Sequence, residues 1–258
     1  MASGEQLEAR KLVLFWQLCA LLVRSEPQER RSSELALLQD MMGAMGLNAN
    51  TKAQCVTVVK QALAAPKAPT LGALATAFKQ AVGQSPVTLD FVFELLVYVG
   101  LAPGALSPNL LPTLLTCAQA LGVDKVRLQH IVRLRQQELS LAQHFKGKPL
   151  AYHAFTLPQS QHHAHGQPLA HEPTPLLTAA ERAAQRAKPH PALVRYACDL
   201  LALEPKFTLE QAASATQILV LHYAPVQLER AHMPRALIRL AQKKVADAIS
   251  AFNLLRQL

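Results

Sequence analysis

Hydrophobic residues recur at helical spacing along the first part of the chain. Between residues 11 and 140 these runs alternate with short stretches rich in glycine, proline and asparagine, which predicts helices joined by turns. Valine, isoleucine and threonine rarely cluster, so no strand is predicted and the expected fold class is all-α. The predicted helices cover residues 8–23, 32–46, 51–64, 70–83, 88–100, 108–121 and 124–143.

The rest of the chain divides into two regions of different character. Residues 146–190 have no apolar periodicity but many prolines and histidines, which indicates a linker, with a short helix predicted over 177–187. Residues 191–258 return to helical spacing, and Pro225 and Pro234 predict a surface loop there. The predicted domains are therefore a helical bundle over 1–145, the Pro/His-rich linker, and a C-terminal unit with helices near 191–202, 208–223 and 234–257.

Composition and charge narrow the classes of function. Half of the residues are hydrophobic and only 5% are aromatic, with alanine and leucine dominant, as suits helices. The formal net charge is +9, and the positive excess is equal in residues 1–140, 141–190 and 191–258. Because nucleic-acid-binding proteins usually concentrate basic residues on one stripe, no nucleic-acid partner is expected.

Neither a membrane span nor a disulfide framework is expected. The most apolar early run, Leu12 to Val23, is shorter than the roughly 20 residues that a span needs, and Glu5 and Glu8 before it argue against a signal peptide. The four cysteines form no CxxC pair and lie in apolar helical runs, which predicts buried thiols. We therefore expect a cytoplasmic protein, either free or at the periphery of a membrane assembly.

No metal, cofactor or catalytic site is predicted. The HHAH tract at 162–165 has a metal-binding composition, but a linker gives its imidazoles no fixed scaffold. The chain contains no HExxH motif, phosphate-binding loop or nucleophile elbow, and no carboxylate pair is expected in an apolar setting. An enzyme is therefore not expected; a deep pocket with several titratable groups of shifted pKa would revive that hypothesis.

Four motifs are similar to those of one known family. In the C-terminal unit they are ACDLLALEP at 197–205, the apolar steps Ile249, Phe252 and Leu255, and HMPRALIRLAQKK at 232–244. In the N-terminal bundle, VGLAPGALSPNLL at 99–111 is similar to an acidic turn of the same family. The chain resembles the DjlA-type, DnaJ-like co-chaperones, in which a TerB-like helical domain precedes a J domain with an extended loop.

The resemblance implies a co-chaperone that has lost its active groups. In the family, a His-Pro-Asp loop and a basic middle helix engage the ATPase domain of a DnaK-type chaperone and trigger ATP hydrolysis. Here the loop reads Ala224-Pro225-Val226, and the middle helix contains no lysine or arginine. Neither alanine nor valine can form a charge-assisted hydrogen bond. Pro103 and Leu110 stand at acidic positions of the TerB-like turn, and the family's N-terminal membrane anchor is expected to be missing.

The middle helix of the C-terminal unit predicts a surface for protein partners. Its spacing places Ala212, Ala215, Leu219 and Val220 toward the core and leaves an opposite face without charge. Since a solvated face is normally charged, an apolar one either packs on the N-terminal bundle or binds a partner. The candidate partner-binding residues are Ala213, Ser214, Gln217, Ile218, Leu221, Tyr223, Ala224, Pro225 and Val226.

Two functions from different classes follow from these patterns. The favoured one is a non-catalytic scaffold or adaptor that binds other protein subunits, for example in a bacterial secretion-system complex. The alternative is an active co-chaperone that regulates a DnaK-type chaperone through an unorthodox loop. Stable co-purification with other subunits would support the first, and stimulation of ATP hydrolysis would support the second.

Overall fold

The computed structural model describes residues 2–67, 69–102, 104, 107–146 and 189–258. These residues form eleven helices and no strand, so the predicted all-α class is confirmed. The helices are α1 (Ala2–Ser25), α2 (Gln28–Ala44), α3 (Ala49–Ala64), α4 (Leu71–Val82), α5 (Pro86–Gly100), α6 (Leu110–Leu121), α7 (Lys125–His144), α8 (Pro191–Leu200), α9 (Leu209–His222), α10 (Pro225–Arg230) and α11 (Arg235–Leu255).

Helix α10 was not predicted from the sequence, whereas α11 matches the helix predicted near 234–257. Helix α10 occupies a stretch that the prolines had marked as a surface loop, because Pro225 stands in the first turn of that helix, where its missing N–H costs nothing. The HMPRALIRLAQKK motif, which is similar to an extended loop, is helical from Arg235 onward. The histidine tract, Pro103 and the helix predicted over 177–187 lie outside the described residues.

The chain divides into two compact units. Unit 1 comprises Met1–Gln136 with Gln217–Ala246, and unit 2 comprises Gln137–Thr216 with Asp247–Leu258. Unit 1 thus takes in residues 217–246, which lie within the region expected to be J-like. The predicted domain boundaries at 145 and 191 stay a prediction.

The core of unit 1 is built on α1 and α5. Helix α1 contacts α2 to α6, and its aromatic residues Phe15 and Trp16 are fully buried, with ring centroids 5.0 Å apart. Helix α5 is apolar almost all round and is buried along most of its length, as expected of a central helix. None of the helices in the described ranges combines the length and hydrophobicity needed to cross a bilayer.

Unit 2 has a smaller core of its own. Its buried side chains come from the end of α7, from α8, from the first half of α9 and from the end of α11; they include Leu141, Phe145, Leu193, Tyr196, Leu200, Ala212, Ala251 and Leu255.

The Gln137 side-chain amide donates a hydrogen bond of 2.7 Å to the Asp199 carboxylate. The Thr208 hydroxyl accepts from the Gln211 backbone N–H, and the Gln211 side chain accepts from the Thr208 N–H, which caps α9.

Candidate functional site

Seven of the nine candidate partner-binding residues are exposed. Three large apolar side chains stand out: Ile218 is 55% exposed, and Leu221 and Val226 are each 58% exposed. Ala213 and Ser214, in the part of α9 that belongs to unit 2, are exposed as well. Of the four residues predicted to face the core, Ala212 is fully buried, whereas Ala215, Leu219 and Val220 are only half-buried. We refer to Ile218, Leu221 and Val226 as the α9–α10 surface.

Tyr223 does not belong to that surface, which corrects the sequence-based expectation. The residue is 5% exposed, and its ring meets the ring of Phe91 edge-on with centroids 5.9 Å apart. Burial and the nearby carboxylate of Glu94 raise the pKa of the Tyr223 hydroxyl to about 12. Tyr223 is therefore a neutral, buried residue that anchors the end of α9, and it offers nothing to a partner.

The Ala224-Pro225-Val226 tripeptide forms the start of α10. Ala224 is the N-cap residue and is half-buried, whereas Pro225 and Val226 are exposed in the first turn. No side chain caps this helix among the described residues, and the tripeptide itself carries no charge and no hydrogen-bonding side chain. Its exposed atoms are suited to apolar contact.

A groove in unit 1 borders the α9–α10 surface, and we call it the α5–α10 groove. Its volume is about 580 Å³, within the range of roughly 300–1,000 Å³ that is typical of ligand-binding clefts. Val87, Leu221 and Ala231 give it apolar walls, and its polar lining residues are Ser85, His222, Gln227 and Arg230. The side chains of these four polar residues form no hydrogen bond or ion pair within the described part of the chain.

Hydrogen bonds within unit 1 fix the turn between α10 and α11. The Thr88 hydroxyl donates to the Ala231 carbonyl at 3.0 Å, and the Lys11 ammonium donates to the His232 carbonyl at 3.1 Å. The Glu8 carboxylate accepts from the Arg235 backbone N–H at 3.1 Å. These bonds tie the chain at Ala231, which lines the α5–α10 groove, and the residues after it to α5 and α1.

A buried ion pair joins α5 to α11 in the same unit. The Glu94 carboxylate meets the Lys244 ammonium, with side-chain exposures of 6% and 16%. Glu94 lies on the most apolar of the described helices, so without this ammonium its charge would be buried uncompensated. The pair holds the middle of α11 against the centre of unit 1.

A carboxylate pair lies in the interior of unit 1, so the expectation that the chain holds no such pair in an apolar setting is wrong. Glu26 is 1% exposed and Glu34 is 0% exposed. Burial raises the pKa of Glu34 to about 8, and the charge of Glu26 adds to the effect. Glu34 occurs in an apolar stripe with Leu38, Met41 and Met42, all of which are buried. The helical spacing of Glu34 from these apolar residues could have predicted its burial, but a glutamate is usually expected at a solvated position.

No metal centre emerges from the described ranges. Nowhere in them do three His, Cys, Asp or Glu side chains lie close enough together to hold a metal ion. Neither Glu26 nor Glu34 lines the α5–α10 groove. The groove and the carboxylate pair are thus two separate features of unit 1.

Comparisons with known proteins add no information about these sites. No known protein family, curated protein or solved structure matches this chain, and its resemblance to the DjlA-type co-chaperones stays a prediction.

Proposed function

We propose that this protein is a non-catalytic scaffold or adaptor, derived from a DjlA-type co-chaperone, that binds other subunits of a bacterial assembly such as a secretion-system complex. The observation that supports this most is the exposure of Ile218, Leu221 and Val226 by more than half of each side chain. Ile218 and Leu221 are neighbours on α9 by helical spacing, and neighbouring apolar side chains left in water are typical of a contact surface.

These three side chains would contribute to the affinity of a larger interface. Covering the remaining exposed area of these three side chains is worth about 2.5–5 kcal/mol, or roughly 60- to 4,000-fold in a binding constant. The four polar side chains of the α5–α10 groove, which have no partner among the described residues, add hydrogen-bonding groups at the edge, which is the usual arrangement of a protein interface. An apolar centre with a polar edge therefore favours a protein partner.

The proposed adaptor lacks the chemistry of a trigger for ATP hydrolysis. The start of α10 carries Ala224 and Val226 in place of an imidazole and a carboxylate, and α9 carries no lysine or arginine. An acidic partner surface would find no basic helix to pair with. For this reason the active co-chaperone remains the second candidate.

A charge-introducing double variant tests the proposal. Ile218→Lys with Leu221→Glu places two charges on the α9–α10 surface at positions already exposed, so circular dichroism should show an intact fold. We expect the tagged variant, expressed in its host cell, to lose the stable complex that the wild-type protein forms on size-exclusion chromatography. A folded variant that still purifies with the same subunits would show that this surface is not the interface.

The matched control introduces the same two charges elsewhere in unit 1. Leu111 is 42% exposed and Val126 is 76% exposed, on α6 and α7 respectively. Leu111→Glu with Val126→Lys should leave the complex intact. Loss of the complex in both double variants would mean that any added charge disrupts assembly, and the α9–α10 surface would lose its special role.

A further inference from the structure

Glu34 is the least satisfied charged residue in the described part of the chain. It is 0% exposed, and neither of its carboxylate oxygens has a hydrogen-bond partner there. Buried polar groups in folded proteins are nearly always hydrogen-bonded, so each exception calls for an explanation. An ionised carboxylate at such a position is strongly disfavoured, whereas a protonated one is neutral.

The charged groups that act on Glu34 are Glu26, Arg30 and Arg31. Glu26 is already engaged, because its Oε1 accepts a hydrogen bond of 2.7 Å from the Ser107 hydroxyl and its Oε2 lies 3.1 Å from Arg30 Nε. Arg31 donates two hydrogen bonds of 3.0 Å to main-chain carbonyls at and just after the end of α1. Both arginines are therefore directed at other groups, and neither forms an ion pair with Glu34.

Helix α2 contacts α1 and α5, and within the described residues the charges that act on Glu34 come from α2 itself and from Glu26, which follows the end of α1. Burial is the largest cause of the raised pKa of Glu34, and the charge of Glu26 is the next. The two arginines lower the pKa but do not cancel these effects, and the result is about 8. Glu34 thus retains its proton at neutral pH.

We propose that Glu34 is a proton-binding site that couples the packing of α2 to pH. With the proton bound, the neutral carboxyl group stays buried among Leu38, Met41 and Met42, and α2 remains packed on α1 and α5. When the proton leaves to solvent, a second negative charge forms beside Glu26 and favours opening of α2. Such a proton-binding site would operate whether or not the protein is an adaptor.

The direction and size of the pH effect follow from the two pKa values. In an opened state Glu34 titrates near its ordinary value of 4.5, and in the packed state near 8. Between these values the packed state binds one more proton, so the equilibrium constant for opening should rise about tenfold for each pH unit. The stabilising effect is complete below pH 4.5, is lost as the pH rises to about 8, and does not change further above that.

Amide hydrogen exchange of the full-length protein between pH 5 and 8 tests this, with protection factors corrected for the intrinsic exchange rate. In the wild-type protein we expect protection of α2 amides to fall about tenfold per pH unit. Glu34→Gln replaces the neutral carboxyl group with a neutral amide of the same shape, and its α2 protection should lose this slope. Glu29→Gln changes an exposed carboxylate on the same helix and should retain the wild-type slope.

Equal slopes in the wild type and in Glu34→Gln would overturn the proposal. A second measurement needs no variant. The carboxyl carbon of Glu34, followed by ¹³C NMR, should titrate with a midpoint well above the pKa of an exposed glutamate, which is about 4.3. A midpoint below about 5 would show that Glu34 is ionised in the packed state, and the proposal would then be wrong.

Discussion

Removing the positive charge from the buried ion pair of unit 1 should strongly destabilise the protein. Lys244→Met keeps the length of the side chain but leaves Glu94 without its ammonium partner, at a side-chain exposure of 6%. Tyr223, whose pKa responds to the Glu94 charge, is neutral and cannot replace the lysine. The change therefore isolates the effect of an unpaired buried carboxylate.

The expected magnitude depends on which partner is removed. Lys244→Met should lower the free energy of unfolding by about 3–5 kcal/mol, since breaking a buried pair leaves a desolvated charge. Glu94→Leu should cost less, about 1–2 kcal/mol, because the longer and more exposed lysine can extend its ammonium group into water. The double variant Glu94→Leu with Lys244→Met should lie within about 1 kcal/mol of the wild type or above it.

Urea unfolding followed by circular dichroism at pH 7 measures all three variants, with Lys60→Met as the control at an exposed position of α3. The control should change the free energy of unfolding by no more than about 0.5 kcal/mol. A Lys244→Met variant as stable as the control would refute the reasoning, since Glu94 would then have another source of compensation. A double variant as unstable as Lys244→Met would also contradict it.

Three further predictions follow from the described residues. The purified protein should not stimulate ATP hydrolysis by a DnaK-type chaperone in single-turnover assays; several-fold stimulation would favour the active co-chaperone. Gly46→Ala should lower stability by about 1–3 kcal/mol in thermal unfolding, because Gly46 has φ +62° and its added methyl group would meet Arg239, whereas Gly43→Ala meets nothing within 4 Å and should not destabilise. In the native protein Cys198 should react first with a thiol reagent, because it is half-buried whereas Cys19, Cys55 and Cys117 are buried; Cys198→Ser should remove the fast phase.

Local sequence patterns predicted the helices because each depends on spacing within a few turns. The exposure of Ile218 and Leu221 could likewise be predicted, since the core side of α9 was recognisable from Ala212. Helix α10 was missed because Pro225 was interpreted as the end of a helix, although proline suits a first helical turn equally well. Local sequence alone does not decide whether a proline ends one helix or begins the next.

Contacts between distant parts of the chain could not be predicted. Glu94 and Lys244 both have the residue types of a solvated surface, and only the ion pair between them explains why Glu94 is buried and Lys244 is half-buried. The burial of Tyr223 depends in the same way on Phe91 of α5. Glu34 is the reverse case, because its position in an apolar stripe indicated burial while its charge argued against it.

The central claim is that the α9–α10 surface binds another protein, and site-specific photo-crosslinking in the host cell tests it most directly. Leu221 is replaced with the photoreactive residue p-benzoylphenylalanine, and the control carries the same residue in place of Val126, which is 76% exposed on α7. On irradiation we expect a discrete crosslinked product from position 221, identified by mass spectrometry as another protein, and no such product from position 126. The same products from both positions, or none from position 221, would contradict the proposed function.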